Sequence, residues 1–481
     1  MEMINQLKNN KTILRWYFLL LGLTMLFGRS FTGLTLFNYR LGEIIVILSF
    51  FTSIFVFTSA FDRIIDKNIL ILNRILILSF YIYILISDGS LTNPYTYKSS
   101  SYIWTFAFVY LGSFASYLVK KTKFDMRYLL TLLPITYILS SVFYPEVIQK
   151  FFLKYSDVFD FLKASDLLLV FVVTNYFYFV SSKHKSNSFI YLIISASIFF
   201  PYMAFKSKGA IVPGVVFMIL ILYQYRKFIF SKTWFAIFIL FVGVIFFGFS
   251  TIRTFGSIQN VDYGMFFSER EENTPMHERF TNFQSIIKTQ PERYEEAVVP
   301  ERYEQQEASE VEEEIYINIV PPEKEYTNVN QFWIFTLADG RLYSNETNVD
   351  YRLQIWQDVL IDLKLQGQLF TGYAFNEIIP AMTPAERRGW DGSNENVHNY
   401  LINILARGGV IHLAIFIMIN FYIVRNWYSR NKNFLILTYM TPVILTALFD
   451  VTMESARYPL IYYSFLGFFM MHETQNKEEI I

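Results

Sequence analysis

The sequence contains no cysteine. Disulfides, thiolate-bound zinc, iron–sulfur clusters and cysteine nucleophiles are therefore excluded. Compartment stays open, because a cysteine-free chain suits either side of a membrane. Net charge is lacking as well: 41 basic and 41 acidic residues balance over 481 positions. That leaves no electrostatic footprint for a nucleic-acid partner. Histidine is scarce, with five in the chain, and none stands in a His/Asp cluster at ligand spacing. No metal and no cofactor is expected.

What the chain has in excess is apolar and aromatic side chains, 53% and 19% of residues. They come in blocks of membrane length. A helix rising 1.5 Å per residue needs roughly 20 apolar residues to cross the hydrocarbon core. Such runs fill 12–250 and return over 400–471. Lys8, Lys11 and Arg15 before the first run could belong to a signal peptide. No small-residue cleavage site follows and further spans do, so a retained first helix is expected.

Hydropathy predicts an all-α polytopic membrane protein with about twelve transmembrane helices. They fall near 12–28, 41–60, 69–87, 101–119, 128–144, 166–181, 188–205, 209–223, 233–250, 400–424, 434–450 and 457–471. Lysine and arginine cluster after the fourth, sixth, eighth and tenth: Lys120 to Arg127, Lys183 and Lys185, Arg226 to Lys232, and Arg425 to Lys432. Basic connections stay cytoplasmic, so both termini are expected there. Three regions follow: an N-terminal bundle over 1–250, a large extracytoplasmic loop over 251–399, and C-terminal helices with a cytoplasmic tail over 400–481. Lys206-Ser207-Lys208-Gly209 is basic on the outer side. It reads either as a snorkelling turn or as a cationic site for an anionic substrate.

Within the loop, 291–325 is rich in glutamate and repeats Pro-Glu-Arg-Tyr-Glu from Pro291 and Pro300. Its charge and prolines predict a solvated insertion. Over 349–365, Leu353, Trp356, Val359, Leu360 and Leu363 recur at helical spacing with Asp358 and Asp362 between them, the pattern of an amphipathic helix. Arg352 is placed in its first turn, where a cation opposes the helix dipole and suggests another partner. Phe370-Thr371-Gly372-Tyr373 reads as a turn, and 376–397 as an irregular loop. His398-Asn399 then opens a helix that Gly408-Gly409 can break. A lone histidine is as a rule structural. A helix N-terminus, however, disfavours imidazolium and keeps the ring able to take a proton.

These motifs, in this order, resemble the tail of the O-antigen ligase and O-antigen polymerase family. His398-Asn399-Tyr400-Leu401 followed by Gly408-Gly409 resembles its histidine motif. Arg352, Trp356 and Phe370-Thr371-Gly372-Tyr373 resemble its Arg…Trp…Gly pattern. Ser207-Lys208-Gly209-Ala210 resembles its Ser-Arg-Gly motif, with lysine for arginine, and Glu454 and Pro459 fit its C-terminal pattern more loosely. The resemblance spans roughly 200–470. It implies a metal-independent, inverting glycosyltransferase of the GT-C type in the bacterial inner membrane. The donor would be a glycan on undecaprenyl diphosphate, and the acceptor either lipid A–core or a second lipid-linked glycan.

On that reading His398 is the base at the acceptor hydroxyl, and Lys208, Arg253 and Arg352 stabilise the departing diphosphate. Arg253 also reads as an interfacial anchor, and lysine at 208 loses bidentate geometry. Asn399, Trp356 and Arg407 are supporting residues, Arg407 because a charge within a spanning helix needs a function or a partner. Asp391 and Glu395 are candidates to orient His398, or plain surface residues. A single compact outer loop favours a ligase over a polymerase, which could spread its site over a second outer connection carrying Lys150, Lys154 and Lys163. An oligosaccharyltransferase acting on protein is a third acceptor choice. A lipid-linked sugar flippase or transporter is the competing class; it would show related halves and polar residues at the midplane, whereas these halves are unequal.

Overall fold

The computed structural model describes residues 2–37, 39–55, 65–86, 93–141, 146–156, 162–182, 184–206, 208–230, 233–255, 329–332, 335–338, 340–384, 387, 394–450 and 452–478. The acidic insertion 291–325 and Asp391 lie outside them. The fold is mostly helical. In chain order the first helices are α1 (Glu2–Thr32), α2 (Leu41–Phe55), α3 (Lys67–Ile86), α4 (Pro94–Ser99), α5 (Ser101–Thr105) and α6 (Phe108–Thr122). There follow α7 (Leu129–Ser141), α8 (Glu146–Tyr155), α9 (Ala164–Ser181), α10 (Lys185–Lys206), α11 (Lys208–Gln224), α12 (Arg226–Phe230) and α13 (Thr233–Phe255). The last are α14 (Thr347–Leu365), α15 (Tyr400–Asn431), α16 (Leu435–Ala447) and α17 (Arg457–Glu478).

Six helical stretches among the described residues are long and apolar enough to cross a membrane, against the twelve runs read from hydropathy: Asn10–Thr32, Lys67–Ile86, Ser101–Thr122, Ala164–Ser181, Lys185–Ala204 and Tyr400–Asn431. Several of the other runs are apolar helices of shorter length. Three of these, α7, α11 and α16, carry an internal proline (Pro134, Pro213, Pro442), which removes a backbone donor and crowds the preceding turn.

The core is centred on α9, whose side chains are buried from Ala164 through Phe177. It touches α1, α7, α10, α11, α16 and α17. A helix apolar on every side belongs in such a place. Two of its polar side chains bond to its own backbone: Thr174 Oγ1 donates to Val170 O at 2.8 Å and Asn175 Nδ2 to Phe171 O at 2.9 Å. The closest helix crossing is α6 on α17. A Cβ on Gly112 would strike the Ser464 backbone and one on Gly467 the Val109 backbone, and Ser113 Oγ donates to Gly467 O at 3.1 Å. Small residues let the two backbones meet, as in helix pairs packed within lipid.

Side-chain contacts sort the connections into two ends. At one, Ser156 Oγ donates to Ser30 O (2.8 Å), Thr35 Oγ1 to Tyr155 O (3.1 Å) and Ser99 Oγ to Phe375 O (2.6 Å). Lys98 pairs there with Glu395 at 2.7 Å, and buried Arg457 with Asp166 at 3.1 Å. Glu454 shares one cavity with Tyr95, Lys98 and Glu395, so the described parts of the connections after α1, before α4, before α9, before α15 and before α17 are neighbours. At the other, Lys185 lies over the Tyr225 ring, Phe189 stacks on Phe228, and Tyr191 donates to Leu130 O at 2.9 Å.

Two small antiparallel sheets accompany the helices. Before α14 the chain forms a three-stranded antiparallel meander, β3 (Val329–Phe332), β4 (Phe335–Ala338) and β5 (Arg341–Ser344), and a small hairpin joins β1 (Thr35–Leu36) to β2 (Tyr39–Arg40). Between β4 and β5, Ala338 pairs with Arg341 and Gly340 has φ 76°, a conformation that glycine adopts without steric cost. The sheet edge docks on α14 through Gln357, which accepts from Leu342 N at 2.7 Å and donates to Leu342 O at 2.8 Å.

Candidate functional site

α14 positions the site. Ile355, Val359 and Leu363 form its buried stripe and pack on Ile379, Met382, Val397 and Leu405. Leu360, expected in that stripe, is 41% exposed, because the buried row runs through Ile355, Val359 and Leu363 and Leu360 lies about 100° round the helix from Val359. The helix begins at Thr347, so Arg352 sits in the second turn and the dipole argument for it loses force. Asp358 binds Arg341 and Arg387 together, and Asp362 accepts from Tyr373 Oη at 2.7 Å. Trp356 Nε1 donates to Val397 O at 2.7 Å, which fixes the segment entering His398 to α14.

Asn399 caps α15: its Oδ1 accepts from Leu401 N at 3.0 Å and Ile402 N at 3.1 Å. Two and a half turns later the helix breaks at Gly409 (φ 64°, ψ −167°). The break orphans four backbone groups, and each finds a substitute in the turn after α14. Ala406 O accepts from Tyr373 N (2.7 Å) and Arg407 O from Ala374 N (3.1 Å); Val410 N donates to Leu369 O (2.9 Å) and Ile411 N to Phe370 O (3.4 Å). The Phe370-Thr371-Gly372-Tyr373 turn is thus spliced into α15, and these four bonds stand in for helical ones lost at the break.

His398 stands just above this splice with φ 55°, a left-handed conformation that non-glycine residues rarely adopt and that functional sites retain. Its Nε2 lies 3.0 Å from Asn394 Nδ2, which also approaches Arg387 O and Tyr351 Oη at 3.3 Å. A carbonyl only accepts, so Arg387 O orients the amide nitrogen toward this cluster. Nε2 therefore receives the Asn394 N–H, and the neutral ring carries its proton on Nδ1. Burial holds the imidazole below its ordinary range; the Arg352 and Lys163 charges push the same way and Asp450 opposes them. Replacing Arg352 by Gln removes a positive neighbour. The titration midpoint of His398, followed by NMR of labelled histidine, is expected to rise.

The structure brings His398, Asn399, Trp356 and Arg352 together. The backbones of Lys208 and Arg253 lie at the start of α11 and the end of α13, while their side chains lie outside the described residues. Arg407 belongs elsewhere: it is buried, 3% exposed, and donates to Ala374 O and Glu377 O and to Tyr95 Oη at 2.8 Å. Glu395, considered as a partner for His398, pairs with Lys98 instead. Sequence reasoning missed Asn394, four residues before the histidine, and the joint bearing of Lys163 and Asp450 on it. It also passed lightly over Glu454, whose carboxyl burial pushes up to about 7 against the pull of Arg407 and Lys98.

Among the described residues no group of three or more His, Asp or Glu side chains could hold a metal ion. No known family model matches the chain, and no curated protein matches it.

Proposed function

We propose that this protein is a bacterial inner-membrane glycosyltransferase that moves a glycan from undecaprenyl diphosphate to an acceptor hydroxyl. The proposal includes twelve spans, cytoplasmic termini and a periplasmic site. The topology is supported by the gathering at one end of the connections that the charge rule places outside. The observation that carries the chemistry is a half-buried imidazole at that end, its Nε2 3.0 Å from Asn394 Nδ2 and its affinity for protons lowered by partial burial and by Arg352.

Transfer with inversion needs two things of the protein. The acceptor hydroxyl must lose a proton as its oxygen bonds to the anomeric carbon, and His398 Nε2 takes it. The bond from that carbon to the diphosphate oxygen breaks with its electron pair, and the departing lipid diphosphate needs cations. Arg352, with Lys208 and Arg253, supplies them. Asn394 occupies Nε2 at rest, so its amide gives way when the acceptor arrives.

Lipid A–core is the first acceptor reading. A second lipid-linked glycan, the polymerase reading, is favoured by one observation: Lys163, from the connection between α8 and α9, bears on the His398 charge. The test is transfer in proteoliposomes from an undecaprenyl-diphosphate glycan, with EDTA present and each acceptor offered separately. The acceptor consumed decides between the two. Folded protein that transfers to neither and instead moves the lipid-linked sugar across the bilayer would replace this reading with transport.

A further inference from the structure

A second polar site lies at the same end of the bundle and is not used by the chemistry above. Tyr95 and Lys98 of α4, Glu395, Asn403 and Arg407 of α15, and Glu454 from the turn before α17 line a cavity of about 30 Å³. Two buried groups there have no hydrogen-bond partner among the described residues: Arg407 Nε, a donor, and Glu454 Oε1, an acceptor. A buried polar atom left unpaired costs on the order of 1–3 kcal/mol, so the arrangement calls for an occupant. Lys98 and Glu395 are paired with each other, so what the cavity offers an occupant is the donor of Arg407 and the acceptor of Glu454 rather than a cluster of like charge. A free donor beside a free acceptor matches hydroxyl groups, which do both. The volume holds roughly two water-sized positions. That is room for two hydroxyls, with the remainder of a ring outside at the mouth, where the Lys98–Glu395 pair is partly exposed (59% and 24%).

We propose that this cavity is a sugar subsite that takes two neighbouring hydroxyls of a pyranose, one accepting from Arg407 Nε and the other donating to Glu454 Oε1. The choice of a sugar among diols rests on the transferase reading. Arg407 is thereby a binding residue, and its partners Tyr95, Ala374 and Glu377 are what hold the guanidinium in place.

The test uses the absence of cysteine. Asn396→Cys, on the partly exposed lining of the cavity, gives the full-length protein in nanodiscs its only thiol. Modification by a small methanethiosulfonate reagent is timed with methyl mannopyranoside, methyl galactopyranoside and methyl glucopyranoside, and with tetrahydropyran as the ring without hydroxyls. Saturable slowing by at least one pyranoside and none by tetrahydropyran is the expected result. Adding Glu454→Gln should weaken that protection about tenfold, the loss of one charge-assisted hydrogen bond. Protection by no pyranoside, or protection unchanged in a folded Glu454→Gln variant, overturns the subsite. The protection arm alters no buried group, so it stands even where Glu454→Gln does not fold. Glycan transfer without protection would sink the subsite and spare the transferase reading. Protection without transfer to any acceptor would do the reverse.

Discussion

His398→Ala is expected to lower glycan transfer by about a hundredfold or more, the range for losing a positioned general base, with insertion and packing intact. Two polar side chains on the neighbouring segments are already engaged. Glu395 is committed to Lys98 and lies at the other cavity, and the Tyr351 hydroxyl is held at Arg387 O at 2.6 Å. Alanine at φ 55° is strained, so the decisive comparison is His398→Asn. Asparagine tolerates the left-handed region and keeps a polar side chain, yet it cannot take the proton. Both variants should lose transfer alike in the proteoliposome assay. An asparagine variant with near-normal transfer would make His398 a structural residue. Arg352 lowers the His398 affinity for protons, so on the proposed chemistry one cation would serve both ends of the reaction, keeping the base free and steadying the leaving group. That joint role predicts a Arg352→Gln variant slower at every pH and with its acid limb moved upward, because the imidazole protonates more readily without the neighbouring charge.

The helices of the bundle were legible because a long apolar run has few other uses. α3 and α9 lie where hydropathy puts them. Full membrane length was less legible: α7, α11 and α16 end at 13, 17 and 13 residues, and prolines within apolar runs do not register on a hydropathy average. The meander before α14 was missed although its turn signal, Asp339-Gly340 between Leu337 and Leu342, stands in the sequence. In a chain dominated by helical runs, four-residue strands are easily passed over. At the site, local chemistry was readable and tertiary placement was not. Asn399 as a cap and the break at Gly408-Gly409 follow from residue types at adjacent positions. Lys163 and Asp450 come to His398 from connections 235 residues before and 52 residues after it in number, and no spacing rule links them. Leu360 shows a smaller version of the same limit. Helical periodicity found the face but set it one residue off, because Ile355 fills the buried stripe.

Gly409→Ala is expected to destabilise the end of the molecule that holds His398 by about 3 kcal/mol or more, and Gly372→Ala by a similar amount. Both glycines have positive φ, 64° and 73°, and both sit where the turn after α14 is spliced into α15. A Cβ on Gly372 would lie 2.5 Å from the Arg407 carbonyl carbon, and one on Gly409 2.5 Å from Thr371 N. Those are backbone atoms, which cannot rotate away. Separating the segments would strand Ala406 O, Arg407 O, Val410 N and Ile411 N, where unpaired backbone groups are costly. Gly367→Ala separates the two causes. It has φ 69° with nothing within 4 Å of an added Cβ, so it pays only the conformational strain of roughly 1–2 kcal/mol. Thermal unfolding in detergent should therefore rank wild type first, Gly367→Ala slightly below, and Gly409→Ala and Gly372→Ala far lower. The splice also connects to His398, since the helix that Asn399 caps ends at it. Any Gly409→Ala protein that still folds should lose transfer well beyond its loss of stability. Equal stability of the Gly409 and Gly367 variants would show that close approach is not what holds α14 to α15.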